Sequence, residues 1–416
     1  MLRINLQHKS YSINLDYYIL LLMFLLIPFD MINGVLLMNN IELPISFGQT
    51  HKFLIILLII FRLLTKPRLL LFFICLVLVL LIPSLVQLFK DFQSSILLKD
   101  IIKIFRYLTP VLSFMFFVNI YKSENDYLQK KIFLFIKLSF ILLSISILIK
   151  YLGIGYPMYN YGNIGSKGLF YAGNEISALL LVLSSFLGIH YWKWNSRKKY
   201  FLLFIISFIT GLAIGSKTAF IGVLLIFFLI PQKKISKQTK LTKFIYTILG
   251  IGLVTPVLLF ISWEFIKRTE LYVRLIYFYD KLDFITFLLS NRNTFLLDAV
   301  NVYINDYSWL EKLIGVGQST FENRNNNSII EIDFIDIFFA YGLLGLLIFV
   351  GIIVFLWKQS KRFAKSEKYP YANFVNMMLL VLLAVSSSAG HVFSSGLAAV
   401  FIGLLFGLMY KSKVDV

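Results

Sequence analysis

The chain has 416 residues, of which 59% are hydrophobic and only 15% charged. Soluble domains carry roughly 45–50% apolar and about 25% charged residues, so no water-soluble fold hides this surface and most of the chain must face lipid. The 40 Lys and Arg against 21 Asp and Glu leave a net charge of +19. In a membrane protein such a charge reports sidedness before it reports nucleic-acid binding.

A spanning helix needs about 20 mostly apolar residues. Residues 1–16 are polar and run into an apolar stretch with no small-residue cleavage site, which reads as an uncleaved first span. Twelve stretches have spanning character: 17–37, 50–65, 69–89, 101–121, 132–151, 174–192, 200–215, 217–231, 244–263, 331–357, 373–389 and 391–410. The fold class expected is therefore an all-α polytopic membrane protein of about 12 transmembrane helices, with residues 1–416 as a single integral membrane domain. Gly215-Ser216-Lys217 divides 200–231 into two short spans, and the small polar run SSSAGH divides 373–410. The single cysteine, Cys75, lies among leucines and valines and can form no internal disulfide. The four histidines, His8, His51, His190 and His391, show no metal-binding spacing.

With the N-terminus in the cytoplasm, 24 of the Lys and Arg fall on cytoplasmic segments, 14 fall outside, and Lys137 and Lys150 lie within a span. Every alternate connection is basic, so both termini are expected inside. The net charge is thus a mark of orientation. The outer side is nearly neutral and mixes both signs.

The two long outer connections are 152–173 and 264–330, and the latter, 67 residues, has room for a small folded element. Its ELYVRLIYFYDKLDFITFLL suggests helices lying at the membrane surface. Ser290 or Asn291 then offers an N-cap for a helix whose apolar face includes Phe295, Ala299 and Val300. Arg292 would sit in its first turn, where free N–H groups already favour an anion. A solvated loop arginine fits the same position. Lys217 begins an apolar helix, where a cation is costly and rarely idle, although snorkelling to the headgroups also explains it. Lys103 and Arg106 lie one turn apart near the outer end of the fourth span, whereas Lys137 lies toward the cytoplasmic end of its own.

Carboxylates gather on the same side. Glu331, Asp333 and Asp336 open the tenth span and Glu175 opens the sixth. Acids in first turns are ordinarily dipole partners, which suits Glu331, but Asp336 runs straight into an apolar stretch. Tyr156, Tyr159, Tyr161, Tyr171, Tyr277 and Tyr279 could stack on sugars or belong to the interfacial belt. Cations at headgroup level suit a lipid-linked pyrophosphate, and a nearby carboxylate could take a proton from an attacking hydroxyl. Twelve spans with both ends inside equally suit a transporter. Gly250, Gly252 and Pro256 interrupt the ninth span as a transporter's helices often are, but no internal repeat is visible.

Five stretches, GLFYAGNEISALL, GSKTAFIG, SNRNTFLLDAVNVY, GVGQSTF and EIDFIDIFFAYGLLGLLIFV, lie in this order over roughly residues 168–348. In order and placement they resemble the O-antigen polymerases and O-antigen ligases of bacterial surface-polysaccharide assembly. The resemblance implies a fold similar to the GT-C-like O-antigen ligase fold, in the bacterial cytoplasmic membrane. It also implies transfer of an oligosaccharide from undecaprenyl pyrophosphate on the outer side, with inversion, no cofactor and no metal. Flippase and chain-length regulator proteins would be partners; nucleic acid would not. The family's loop arginine maps onto Arg292. Its first arginine falls on Lys217, which keeps the charge but loses the bidentate fork. The ligases carry a histidine just before the span that closes the loop, where this chain has Asn325-Asn326-Asn327 and acids. That departure favours a polymerase of capsule, exopolysaccharide or O-antigen repeat units over a ligase onto another acceptor. The expected site comprises Lys217, Arg292, Arg106 and Lys103 for pyrophosphate, with Arg292, Asp336, Asp333 and Glu175 as the catalytic set.

Overall fold

The computed structural model describes residues 2–41, 43, 46–91, 94–159, 163–231, 267, 270–326 and 328–412. The expected ninth span at 244–263, with its Gly250, Gly252 and Pro256, lies outside the described residues, as do the lysines at 233–243 and Tyr161.

The first eight helices are α1 (Leu2–Met38), α2 (Phe47–Leu63), α3 (Pro67–Asp91), α4 (Ser94–Lys122), α5 (Asp126–Leu148), α6 (Asn174–Lys193), α7 (Arg197–Ile214) and α8 (Lys217–Leu229). Residues 264–330, expected to hold a small element, contain short helices: α9 (Glu270–Lys281), α10 (Phe284–Leu289), α11 (Arg292–Asp306), α12 (Trp309–Ile314) and α13 (Gln318–Arg324). The chain then returns to long apolar helices, α14 (Asp333–Phe363), α15 (Ala372–Ala389) and α16 (Ala399–Gly407). Among the described residues, six helical segments are long and apolar enough to cross a membrane, in α1, α3, α4, α5, α6 and α14. Shorter apolar helices at Lys217–Leu229, Ala372–Ser387 and Ala399–Tyr410 accompany them. Large apolar side chains such as Phe61, Leu71, Phe72 and Leu78 are exposed along α2 and α3, as lipid contact requires.

One expected span is corrected. Residues 391–410 are helical only from Ala399, and 390–398 form an irregular segment at the end of the bundle that carries α9–α13. Two serines and two glycines in this run favour turns over helix. Its backbone polar groups need partners inside the protein, and side chains of α6 and α14 supply them.

Elements from distant parts of the sequence close this end. Between α5 and α6, β1 (Tyr156–Tyr159) and β2 (Ile164–Gly168) pair antiparallel. Lys150, expected within a span, instead donates to the carbonyls of Asn163 and Gly165 at 2.7 Å each and so ties down this hairpin. The following residues, 169–171, cross α1 so closely at Gly34 that a Cβ there would lie 2.1 Å from the Leu169 carbonyl oxygen.

Helix α14 is broken at Gly342, whose φ of 65° and ψ of −167° lie outside the helical region. The break leaves the Ala340 carbonyl available, and it accepts from Val316 N–H at 3.0 Å and Gly317 N–H at 2.8 Å. Freed backbone groups in a membrane helix must be satisfied by neighbouring protein, and the GVG turn does so here. Two of the motifs picked out above, GVGQSTF and YGLLG, are therefore one structural joint. Buried Asp100 secures its other side, accepting from Ser319 N–H at 2.6 Å and from Ser84 Oγ at 2.6 Å.

Candidate functional site

Arg292 is the first residue of α11. The expected side-chain cap is not made: Ser290 and Asn291 are both left-handed, at φ 54° and 68°, and Asn291 gives no capping bond. The amphipathic reading of the helix does hold, with Ala299 buried and Phe295 and Val300 packed against the core. The Arg292 side chain is only 8% exposed. It donates to Glu331 Oε2 at 2.7 Å, to the Glu331 carbonyl at 3.2 Å and to the Leu289 carbonyl at 3.3 Å.

Lys217 is the first residue of α8, behind an N-cap in which Ser216 Oγ accepts from Ala219 N–H at 3.0 Å. Its ammonium donates to the Phe287 carbonyl at 2.7 Å and lies 3.9 Å from the centre of the Phe287 ring. Lys217 and Arg292 thus reach carbonyls two residues apart on α10. Each also stands at a helix N-terminus, whose free N–H groups add positive potential. Two cations and two helix starts converge on one region, as binding an anion requires.

Glu331 is the residue that position in a first turn had made look ordinary. Its backbone is left-handed, φ 63°, a conformation that side-chain-bearing residues rarely adopt. Gly390 passes directly against it, and a Cβ on Gly390 would lie 1.6 Å from the Glu331 carbonyl oxygen. The next residue, His391, places Nε2 3.9 Å from Glu331 Oε1. The sequence signal for this crossing was the SSSAGH run, read above as a break between spans.

Asp333 and Asp336 hold backbone. Asp336 accepts from Ile330 N–H at 2.9 Å and Ile332 N–H at 3.1 Å, closing the turn that enters α14. Asp333 accepts from Ser386 Oγ at 2.8 Å, Val392 and Phe393 N–H at 2.9 Å each, and Ser394 Oγ at 2.6 Å. It is 1% exposed and serves as the hub of the irregular 390–398 segment.

Glu175, in the first turn of α6, secures the second half of that segment. Its Oε2 accepts from Ser395 Oγ at 3.0 Å and Leu397 N–H at 2.9 Å. Its other oxygen, Oε1, takes no hydrogen bond from the described residues. Two residues on, Ser177 Oγ lies 2.7 Å from Ser216 Oγ, which joins the start of α6 to the start of α8. Glu175 also lines a cavity of about 360 Å³ together with Asp30, Lys52 and Arg106.

The four expected pyrophosphate cations are therefore not equivalent. Lys217 and Arg292 share α10. Arg106 belongs to the cavity and forms no ion pair among the described residues. Lys103 pairs with Glu322 of α13 and so helps dock the short helices on α4. Among the tyrosines, Tyr171 lines the cavity and is 56% exposed, whereas Tyr156 accepts from Asn39 at 3.1 Å beside the hairpin. Sequence reasoning missed Asp30 and Lys52, which form an ion pair at 2.9 Å between α1 and α2. Among the described residues no group of three His, Cys, Asp or Glu is disposed to hold a metal ion.

No curated protein and no solved structure matches the chain significantly. A family model described as O-antigen ligase like membrane protein does match, over residues 14–276 and 278–410. That match spans nearly the whole chain, including every residue of the cationic cluster, the cavity and the segment between them. The chain is a multi-pass, mainly helical membrane protein, and it belongs to the O-antigen ligase-like family.

Proposed function

We propose that the protein is a metal-independent glycosyltransferase that polymerises undecaprenyl-pyrophosphate-linked oligosaccharide repeat units on the outer side of a bacterial cytoplasmic membrane. In this reading the chain has twelve spans and both termini are cytoplasmic. The observation that carries it is the convergence of Lys217, Arg292 and two helix N-termini on α10, together with the 390–398 segment, which meets Glu331, the partner of Arg292, at Gly390 and meets Glu175 at Ser395 and Leu397.

The pyrophosphate of the donor binds Arg292 and Lys217, displacing the Glu331 carboxylate from Arg292. Their charge stabilises the leaving group as the bond from the anomeric carbon to the pyrophosphate oxygen breaks and the electron pair departs with that oxygen. The acceptor hydroxyl oxygen forms the new bond from the opposite face, which gives inversion. Its proton passes to Glu175, whose Oε2 is held by Ser395 and Leu397 while Oε1 is left to receive it. Asp333 and Asp336 keep the 390–398 segment and the entry to α14 in place.

The acids that replace the ligase histidine at 331–336 support a polymerase. One observation favours a ligase instead: His391 returns an imidazole to Glu331 from another element. Reconstitution with a defined lipid-pyrophosphate oligosaccharide separates the two. A polymerase makes a ladder of lipid-linked chains from that substrate alone, and a ligase leaves single units until a second acceptor is added. Glu175→Gln keeps an acceptor for Ser395 and Leu397 but removes the base, and is expected to lower turnover about 10²–10⁴-fold. Unchanged turnover would remove Glu175 from the chemistry.

A further inference from the structure

The cavity between α1, α2, α4 and α6 is distinct from the Lys217–Arg292 cluster, and its walls are of a different chemistry. Asp30 and Asn33 come from α1, Gln49 and Lys52 from α2, Arg106 from α4 and Glu175 from α6. Its volume, about 360 Å³, falls within the roughly 300–1,000 Å³ of small-molecule sites. Gly396 stands where three of the charged groups meet. A Cβ there would lie 3.4 Å from Lys52 Nζ, 3.5 Å from Glu175 Oε2 and 3.8 Å from Arg106 Nε.

Two cations face two carboxylates, so the lining is neutral overall. A phosphate would gain from Arg106, but Lys52 is already committed to Asp30, and Asp30 and Glu175 would repel the anion. A polyhydroxylated neutral molecule uses both signs, because each hydroxyl donates to a carboxylate and accepts from a cation or amide. Acceptor capacity is left at Glu175, whose Oε1 takes no hydrogen bond from the described residues, and Asp30 Oδ2, a buried atom, has no partner among them either. The Asn33 and Gln49 amides add donors and acceptors, and exposed Tyr171 offers a face for a sugar ring. The cavity also shares Glu175 with the proposed reaction.

We propose that this cavity is the acceptor subsite and that it takes the neutral terminal sugar of the growing or incoming chain, in preference to an acidic sugar or a pyrophosphate. The proposal rests on the glycosyltransferase reading above and extends it to the class of acceptor. Glu175 then serves two ends, holding the 390–398 segment with one oxygen and meeting the acceptor hydroxyl with the other.

Saturation-transfer NMR on the full chain in lipid nanodiscs tests this without turnover. The probes are methyl glucoside, methyl N-acetylglucosaminide, methyl glucuronide and inorganic pyrophosphate. At least one neutral glycoside is expected to give transfer, the glucuronide less, and pyrophosphate should not displace the neutral probe. Gly396→Leu fills the meeting point and should reduce that transfer at least fivefold, by the order of effect expected when a binding pocket is blocked. Gly396→Ala, whose Cβ would sit at ordinary contact distances, keeps the test valid if the larger variant fails to fold, and should reduce it less. Arg292→Ala should leave it unchanged. Displacement by pyrophosphate, tighter glucuronide binding, no transfer from any neutral probe, or equal transfer in both Gly396 variants would overturn the subsite. In the reconstituted reaction, Gly396→Leu should raise the acceptor KM about fivefold or more, and Gly396→Ala by a smaller factor, with kcat little changed. Chain growth with an unaltered KM overturns the subsite and leaves the polymerase standing. Neutral-sugar binding without any glycosyl transfer overturns the polymerase and leaves the cavity a sugar site.

Discussion

Asp333 and Glu175 hold successive parts of the same irregular segment and use their oxygens differently. Asp333 is enclosed, with both oxygens accepting from the 386–394 region. Glu175 makes two bonds to 395–397 through one oxygen, takes none from the described residues at the other, and lines a cavity. The same contrast separates Asp100 and Glu311, which lock α12 and α13 onto α3 and α4, from Asp30, which is bound through one oxygen to Lys52 at the cavity. A carboxylate whose lone pairs are filled by buried N–H groups has no capacity left for substrate. One that is anchored but unfilled is positioned to accept a proton or a hydroxyl. Charge and burial alone do not tell the two apart; the count of donors does.

The largest effect expected from breaking the enclosed set is at Asp333. Asp333→Ala leaves several buried donors without an acceptor, at about 1–3 kcal/mol each before relaxation. Thermal unfolding in detergent should show a strongly destabilised protein, or none recoverable. A variant with wild-type melting but no turnover would move Asp333 from scaffold to chemistry. Next comes Arg292. Arg292→Lys keeps the charge yet cannot bond Glu331 and Leu289 together, and turnover should fall about 10²–10³-fold, the order seen when one charge-stabilising donor is lost. Full activity would exclude the guanidinium from the site.

Much of this was legible in the sequence wherever a charge interrupts an apolar pattern. Lys217 and Arg292 stood out because each opens a helix, and Phe295, Ala299 and Val300 marked the face that buries α11. The apolar stretches located most of the described long helices for the same reason: lipid admits few other patterns. What stayed hidden depends on contacts across the chain. Asp30 and Lys52 lie 22 residues apart on neighbouring helices, and nothing local links them. The 390–398 segment resembled a span because Val392, Phe393 and Leu397 are apolar, but its backbone is satisfied by Asp333 and Glu175, 59 and 222 residues away. Hydropathy cannot see an acceptor supplied from that distance.

A smaller effect is expected from pH at Glu311. Burial acts to raise its pKa, but the Ser308 backbone N–H, Gln87, Lys90 and the Ser308 hydroxyl outweigh it and hold the carboxyl at about 2, below its ordinary 4.5. The folded state therefore favours the ionised form. The contribution is fully present above the ordinary value and is lost as pH falls from there toward 2. The melting temperature should be level above about pH 5 and decline below it, and Glu311→Gln should flatten that decline. Equal slopes in the two proteins would show that other carboxylates set the acid limit.

The smallest effect is assigned to Lys103, and it is the sharpest check on dividing the cations. Its ammonium is bound to Glu322, and both side chains are partly exposed, 29% and 23%. Pairs of that exposure contribute about 0–1 kcal/mol. Lys103→Gln should therefore shift melting slightly and lower turnover less than about threefold. The double variant with Glu322→Gln should be no worse than Lys103→Gln alone, because the first substitution already removes the pair. If Lys103 instead binds pyrophosphate, Lys103→Gln would raise the donor KM sharply, Lys103→Arg would recover it, and Glu322→Gln, by freeing the ammonium, would lower it. Opposite signs for Glu322→Gln thus distinguish an anchor from a ligand.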